Sequence, residues 1–251
     1  MKAFSVVGLG YGDEGKGSTV AALANKYPDA IVIKSSGGCQ AAHRVVYGDK
    51  EHVFSQFGSG AFSGCSTLID KDFIICPLAM KREADALTQL DGCTDIMVHP
   101  QCPITTTYHR AYNRISCSLL KVQNSCGRGI GMTRELFNDG LALFWEDLDC
   151  LSEDEMYRKL HAIRSKLVSL LYPYKNQIII DDIFTPLLEA LNTPVGVVAR
   201  EMQEAVRGLE GILRHYTVSH LSLRTLIFEN SQGVLLDETY CPDYFGTYST
   251  V

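Results

Sequence analysis

The sequence predicts an α/β protein, P-loop-like, with a mainly parallel central sheet and helices on both faces. Three observations carry this expectation. A short apolar strand, a glycine-rich turn and a helix follow one another over residues 3–26. Short β-branched runs then alternate with helix-patterned segments, the order that parallel strands joined by crossovers require. Apolar residues make up 46% of the 251 and charged ones 21%, enough for a sizeable core, so one domain over residues 1–251 is expected.

Residues 3–7 form an apolar run that reads as a buried strand, and residues 19–26 leave the turn as a helix. Residues 30–34 read as a second strand that stops at the turn-forming Ser35-Ser36-Gly37-Gly38. Residues 44–47 and 52–55 flank Gly48-Asp49-Lys50-Glu51, which predicts a hairpin. Residues 73–76 and 95–98 read as buried strands, with a helix between them over 78–90. The clearest helix starts at Ser152. Glu155 completes a capping box there, and Met156, Leu160, Ile163, Leu167 and Leu170 recur on one face. Residues 177–180 are expected as a strand and 195–215 as mostly helix. Residues 225–229 read as a late strand running into Asn230-Ser231-Gln232-Gly233.

Composition narrows the function classes. Net charge is −6 and no Lys/Arg cluster of the nucleic-acid-binding kind occurs, so no nucleic-acid partner is expected. No apolar run approaches the roughly 18 residues of a membrane span, and no signal-peptide pattern precedes the first strand, so no membrane association is expected. The nine cysteines contain no Cys-x-x-Cys pair, which suits reduced thiols better than a disulfide framework or a zinc site. The expected location is cytoplasmic.

Four segments carry chemistry. The first is Gly8-Leu9-Gly10-Tyr11-Gly12-Asp13-Glu14-Gly15-Lys16-Gly17-Ser18. Its glycines let backbone N–H groups curl toward an anion, and the following helix adds a partial positive charge. Gly10, Gly15 and Lys16 match the opening of the pattern G-x-x-x-x-G-K, but Gly17 replaces the Ser or Thr that normally holds magnesium. Asp13 and Glu14 would repel a phosphate there unless a cation intervenes or the acid has chemistry to do. The second segment, Gly37-Gly38-Cys39-Gln40-Ala41-Ala42-His43-Arg44, follows a strand; Gly-Gly permits close backbone approach to a ligand. Gln40, His43 and Arg44 add an amide, a titratable group and a fixed cation. The third, Ser125-Cys126-Gly127-Arg128-Gly129-Ile130-Gly131, can present amides and one guanidinium to a phosphate or carboxylate. The fourth, Glu229-Asn230-Ser231-Gln232-Gly233, is a polar turn at the carboxyl end of a strand, where parallel sheets bind ligands.

Together and in this order, these segments resemble the adenylosuccinate synthetase family of purine biosynthesis. That family's W-G-D-E-G-K-G-K is matched by Tyr11 to Ser18 with changes only at its two ends, and its G-G-x-N-A-G-H-T by Gly37 to Arg44. T-G-R-G-I-G is matched by Cys126 to Gly131, and F-E-G-A-Q-G-x-L-L-D by Phe228 to Asp237. The resemblance implies a ligase that joins L-aspartate to IMP with GTP and Mg2+, through a 6-phosphoryl intermediate. It implies that Asp13 takes the N1 proton and ligates Mg2+, with the Ala42 carbonyl as a second ligand, and that His43 is the acid at the departing diphosphate. Gly12, Asp13, Glu14, Gly15, Lys16, Gly17, Ser18, Ala42, His43 and Arg44 would contact the triphosphate. Gln40, Cys126, Arg128 and Gln232 fall on the side of the purine monophosphate.

The chain departs from the family at several of these positions. Gln40 stands for Asn, Ala42 for Gly, and Cys126 for the Thr that holds the phosphate. The arginine that the neighbouring subunit supplies in the family's homodimer has no clear counterpart, Arg134 being only a candidate. Gly246-Thr247-Tyr248 resembles the start of G-T-Y-P-Y-V-T-S-S-N, with Val251 following soon after, so the family's C-terminal portion is expected to be missing. Two alternatives stand beside the IMP reading: a viral-type branch acting on dGMP, with ATP as a possible donor, and a non-catalytic nucleotide-binding module. Asp13 favours IMP, because the viral branch often has Ser in its place.

Overall fold

The computed structural model describes residues 2–121, 125–178, 180–216, 221–237 and 239–241. Seven strands are present among them: β1 (Ala3–Gly8), β2 (Ile31–Lys34), β3 (His43–Tyr47), β4 (Lys50–Phe54), β5 (Ser66–Ile69), β6 (Ile96–Val98) and β7 (Leu226–Gly233). The helices are α1 (Lys16–Lys26), α2 (Pro77–Gln89), α3 (Thr107–Leu120), α4 (Ile130–Asn138), α5 (Asp147–Cys150), α6 (Glu153–Leu171), α7 (Phe184–Asn192) and α8 (Val195–Arg207). Five strands form one sheet in the order β1-β7-β2-β5-β6, with every pairing parallel. The hairpin β3–β4 forms a separate antiparallel pair. The architecture is therefore α/β, a parallel sheet flanked by helices.

Alternation along the strands divides the core. Val6, Val32 and Ile227 point to one face and pack on Val20 and Ala24 of α1. Ile31, Ile33, Leu68, Met97 and Leu226 line the other face, against Tyr216 and Leu221. The largest cluster joins Ile69, Ile96 and Val98 to apolar residues of α2, α3, α6 and α8. In α6 the stripe runs Met156, Leu160, Ile163, Leu167 and Leu171, with the Ser152–Glu155 capping box formed as the sequence predicts.

Sheet order positions the site. β7 lies between β1 and β2 and is parallel to both, pairing Ile227 with Phe4 on one side and with Val32 on the other. The segments that follow β1 and β2, and the end of β7, therefore emerge side by side at the carboxyl edge. The β1–β7 register shifts from Val6↔Glu229 to Gly8↔Gly233, so β7 bulges through Asn230, Ser231 and Gln232. The glycine loop then lies flat on the end of β7: Leu235 donates to the Gly10 carbonyl at 3.0 Å. A Cβ on Gly233 would overlap that carbonyl and lie 2.7 Å from the Gly12 nitrogen.

Several expected elements differ. The described residues of 177–180 form no strand: α6 runs on into a 3-10 turn over Tyr172–Gln177, with Pro173 at its start, and Ile180 is exposed. A short apolar run without a neighbouring strand has nothing to pair with, and Ile179 lies outside the described residues. Residues 73–76 are buried but make only single bridges, Ile74 to Gly38 and Ile75 to Ile104. The late helix ends at Arg207, where Gly208 caps it, instead of reaching 215. β5, α3, α4, α5 and α7 are further elements, to which the sequence reading above assigns no segment. Residues 246–251 lie outside the described residues.

Two glycine substitutions test this packing with opposite signs. Gly233→Ala forces the loop off β7, although its φ of −94° suits any residue. It should lower stability by about 1–3 kcal/mol in urea unfolding, as overpacking does. Gly196→Ala, in α8 with nothing within 4 Å of the added Cβ, should raise stability by about 0.5–1 kcal/mol.

Candidate active site

The glycine loop leaves β1 and turns through left-handed backbone at Gly12, Asp13 and Gly15, with φ of 111°, 51° and 72°. Asp13 thus holds a conformation that L side chains seldom adopt, and its carboxylate is exposed. Glu14 turns inward. Its carboxylate accepts the Gly10 N–H at 2.8 Å and the Gly12 N–H at 3.3 Å, so the loop's own amides are occupied by an acid. A Cβ on Gly8 would overlap that carboxylate and sit 3.0 Å from Lys16 Nζ, which places an ammonium beside it. Lys16 is buried at the start of α1, and desolvation lowers its pKa against the opposing pull of Glu14, Asp13 and Glu229.

The absent Ser/Thr after Lys16 has a steric cause. A Cβ at Gly17 would lie 2.8 Å from the Cβ of His43 and 3.2 Å from Ser59 Oγ. The first turn of α1 packs directly on the strand that presents His43, and only glycine fits between them.

His43 opens β3 and is nearly buried. Its Nδ1 bonds the carboxylate of Glu229, which is fully buried at the end of the regular part of β7. A carboxylate accepts only, so Nδ1 carries a proton and donates to it, which leaves Nε2 as the ring nitrogen open to a ligand. Nε2 has no protein partner, and the residue lines the cavity described below. Glu229 also accepts the Ser59 N–H at 2.9 Å and the Ser59 hydroxyl, and Lys34 Nζ stands 3.7 Å away. Burial alone would raise the Glu229 carboxyl, but Lys34, His43 and Ser59 outweigh it and pull the pKa down to about 2.

Asp13, Glu14, Lys16 and His43 face one cavity of about 840 Å³. Gly12 to Gly17, Gln40, Ala42, His43, Arg44, Cys126 and Gln232 line it, which brings together twelve of the fourteen residues expected at the site. Ser18 points away on the exposed side of α1, and Arg128 is exposed outside the lining, its carbonyl accepting the Thr105 hydroxyl at 3.3 Å. Arg44 reaches the cavity rim, but Glu51 holds its guanidinium at 2.6 and 3.0 Å. Arg134 is taken up within its own chain, donating to the Asp72 carbonyl at 2.6 Å and lying over Phe137. The close approach that Gly37 and Gly38 allow is used within the protein: a Cβ on either would meet Ser231 or the Ile74 carbonyl. Gln40 stays nearby with a buried Oε1 that has no partner.

Sequence reasoning missed the residues behind the cavity wall. Glu229 reads only as the start of a polar turn. The available signal was a lone acid ending an apolar strand, with a lone Lys34 ending another. The wall built by Tyr112, Asn113, Ser116 and Cys117 of α3 carried no signal of its own.

The parallel sheet, the glycine loop at its carboxyl edge and the cavity above them define a phosphate-loop-like α/β protein. The chain belongs to the adenylosuccinate synthetase family, whose family model matches residues 5–251. That family comprises C–N ligases of purine biosynthesis. The adenylosuccinate synthetase of Chlorobaculum tepidum is 28% identical over 264 residues, covering 98% of this chain and 54% of the relative. That of Thermobifida fusca is 28% identical over 262 residues, covering 100% of this chain and 56% of the relative. The chain thus spans about half the length of these curated relatives. Among solved structures, a fully ligated adenylosuccinate synthetase from Plasmodium falciparum shares the fold at a TM-score of 0.65 and 17% identity, over 98% of this chain and 55% of its own. The cyanophage S-2L succinoaminodeoxyadenylate synthetase, bound to dGMP and dATP as an energy donor, matches at 0.56 and 16%, with the same coverage of both chains. No helix among the described residues is long and apolar enough to cross a membrane.

The Glu229 network has a pH signature. A folded pKa of about 2, against an ordinary 4.5, contributes stability that is present above pH 4.5 and lost as pH falls toward 2. Glu229→Gln removes the charge that compensates buried Lys34 and should cost about 3–5 kcal/mol at pH 7. Its stability should also vary less between pH 4.5 and 2 than that of the native chain, measured by urea unfolding across that range.

Proposed function

We propose that this chain carries the nucleotide-activating site of an adenylosuccinate synthetase-type ligase. It joins L-aspartate to the 6-position of a purine nucleoside monophosphate, IMP by preference, with GTP as phosphoryl donor. The observation that carries this reading is one cavity lined by Asp13, Lys16 and His43, with the His43 ring tied by Glu229 and its Nε2 left unpartnered.

The residues suit the chemistry. A hydroxypurine carbon is a poor electrophile until its 6-oxygen becomes a phosphate ester, and that oxygen is a poor nucleophile until N1 loses its proton. Asp13, exposed in the cavity, takes that proton. The 6-oxygen attacks the γ-phosphorus of GTP as the bond to GDP breaks. Protonated His43 donates from Nε2 to the departing diphosphate, while Glu229 holds Nδ1 and stabilises the imidazolium. Lys16 offers its ammonium to the phosphates, whose negative charge would offset the desolvation that disfavours it. The aspartate amine then displaces phosphate at C6. In the family's homodimer a neighbouring chain completes this site, and the same assembly is part of the proposal.

Magnesium fits the donor set. Asp13 offers hard carboxylate oxygens and Ala42 a carbonyl on the same cavity. Mg2+ is commonly held by one or two carboxylates, with phosphate and water supplying the rest. No cluster of three or more His, Cys, Asp or Glu side chains among the described residues is set to hold a metal unaided, in keeping with that mode. Bound there, the ion would neutralise charge on the β- and γ-phosphates.

A competition assay tests the reading: IMP and dGMP, each with aspartate and with GTP or ATP, followed by product mass. IMP with GTP should turn over, and Asp13→Ala and His43→Asn should each lose about 10²–10⁴-fold. Turnover of dGMP in preference to IMP would move the chain to the viral-type reaction. Binding without turnover would make it a nucleotide-binding module. Activity untouched in Asp13→Ala would sink the ligase mechanism.

A further inference from the structure

The cavity wall opposite the glycine loop is made by α3, whose residues have no part in the chemistry above. Asn113 stands out because its amide reaches both ends of the turn before α4. Oδ1 accepts the Ser125 hydroxyl at 3.1 Å and the Gly129 N–H at 3.1 Å, and Nδ2 donates to Cys117 Sγ at 3.4 Å. A backbone N–H can only donate, so the oxygen must face Gly129 and the amide's orientation follows from chemistry.

The turn depends on that anchor. Gly129 caps α4 with φ of 82°, and a Cβ there would lie 2.8 Å from the His109 carbonyl carbon, so the turn lies flush on α3. The Ser125 hydroxyl in turn accepts the Gly127 N–H at 3.3 Å, and Arg114 Nε donates to the Gly127 carbonyl at 3.3 Å. Between the two ends that Asn113 holds sits Cys126, and just beyond sit Ile130, Gly131 and Met132 at the start of α4; all four line the cavity.

We propose that Asn113 is a positioning residue for the purine monophosphate: it holds the Ser125–Gly129 turn so that Cys126 and the first amides of α4 meet the phosphate. This rests on the ligase reading and adds to it the element that sets monophosphate affinity apart from triphosphate affinity. Cys126 is a weak donor in a place that receives an anion. Backbone placement therefore carries more of the binding there, and the anchor of that backbone matters more.

The test compares the native chain with Asn113→Leu, Asn113→Asp and Ser125→Ala. Leucine keeps the bulk and removes the acceptor; aspartate keeps the acceptor for both donors. Amide hydrogen exchange at Gly129 should quicken by about tenfold in Asn113→Leu and stay near native in Asn113→Asp, as expected for loss of the hydrogen bond that this amide donates. In titrations, Kd for IMP should rise about tenfold in Asn113→Leu while Kd for GTP changes less than about twofold. Ser125→Ala removes one donor at an exposed position and should shift IMP binding less, in the same direction; it covers the case in which Asn113→Leu does not fold. Native exchange at Gly129 in Asn113→Leu, equal loss of IMP and GTP, or unchanged IMP binding in both Asn113→Leu and Ser125→Ala would each overturn the proposal. If the native chain binds no purine monophosphate, the ligase reading fails, and exchange at Gly129 still decides whether Asn113 holds the turn.

Discussion

A buried carboxylate at the end of a central parallel strand is the constraint on which the site depends. Glu229 receives the His43 ring, both donors of Ser59 and the field of Lys34 in a fully buried place. Those groups come from β2, β3 and the segment after β4, so one side chain ties β2 and the β3–β4 hairpin region to β7. Removing a charge from such a cluster costs more than the cluster contributes as a whole, because the remaining charge is left buried and unpaired. The same arithmetic explains why Lys34 can remain fully buried with no hydrogen-bond partner: its compensation is coulombic, from Glu229, with the Phe73 ring nearby.

The strand order makes this possible. With β7 between β1 and β2 and all three parallel, the glycine loop, the Gly37–Arg44 segment and the Glu229–Gly233 bulge open at one edge. Glycine then lets the pieces close to contact distance. Gly17 admits His43 against α1, and Gly233 admits the loop's backbone against β7. What looks like an imperfect phosphate loop is a loop whose metal-binding hydroxyl position was given over to a histidine's strand.

Much of this was legible in the sequence. Asp13, Lys16, Gln40, His43 and Gln232, distributed over three segments, do converge on one cavity, because each follows or ends a strand, and parallel strands deliver such residues to a common edge. What stayed hidden was relational. Glu229 acquires meaning only when β7 is placed beside β2, and periodicity cannot supply a strand order. Residues 73–76 are as apolar as a strand and as buried, yet lie in a connection that bridges Gly38 and Ile104 once each. Arg44 and Arg134 looked available for phosphate, but pairing with Glu51 and with the Asp72 carbonyl is a tertiary fact.

The cavity's charge sharpens the ligase reading. An anion-binding cavity would be expected to gather cations, yet Asp13, Glu14 and Glu135 all line this one. Glu14 is accounted for by the Gly10 and Gly12 amides, so it acts as a stand-in anion inside the loop. Of the cations nearby, Lys16 is held in a desolvated place that disfavours its charge, and Arg44 is engaged by a surface acid. A nucleoside triphosphate would bring several negative charges into this balance. Its binding must displace the Glu14 carboxylate from the amides or bring a cation to Asp13, and the proposed reaction does the second. An exposed aspartate held at positive φ, with its neighbour folded back into the loop, is left facing the cavity, where the proposed reaction would use its oxygens for a proton and a metal.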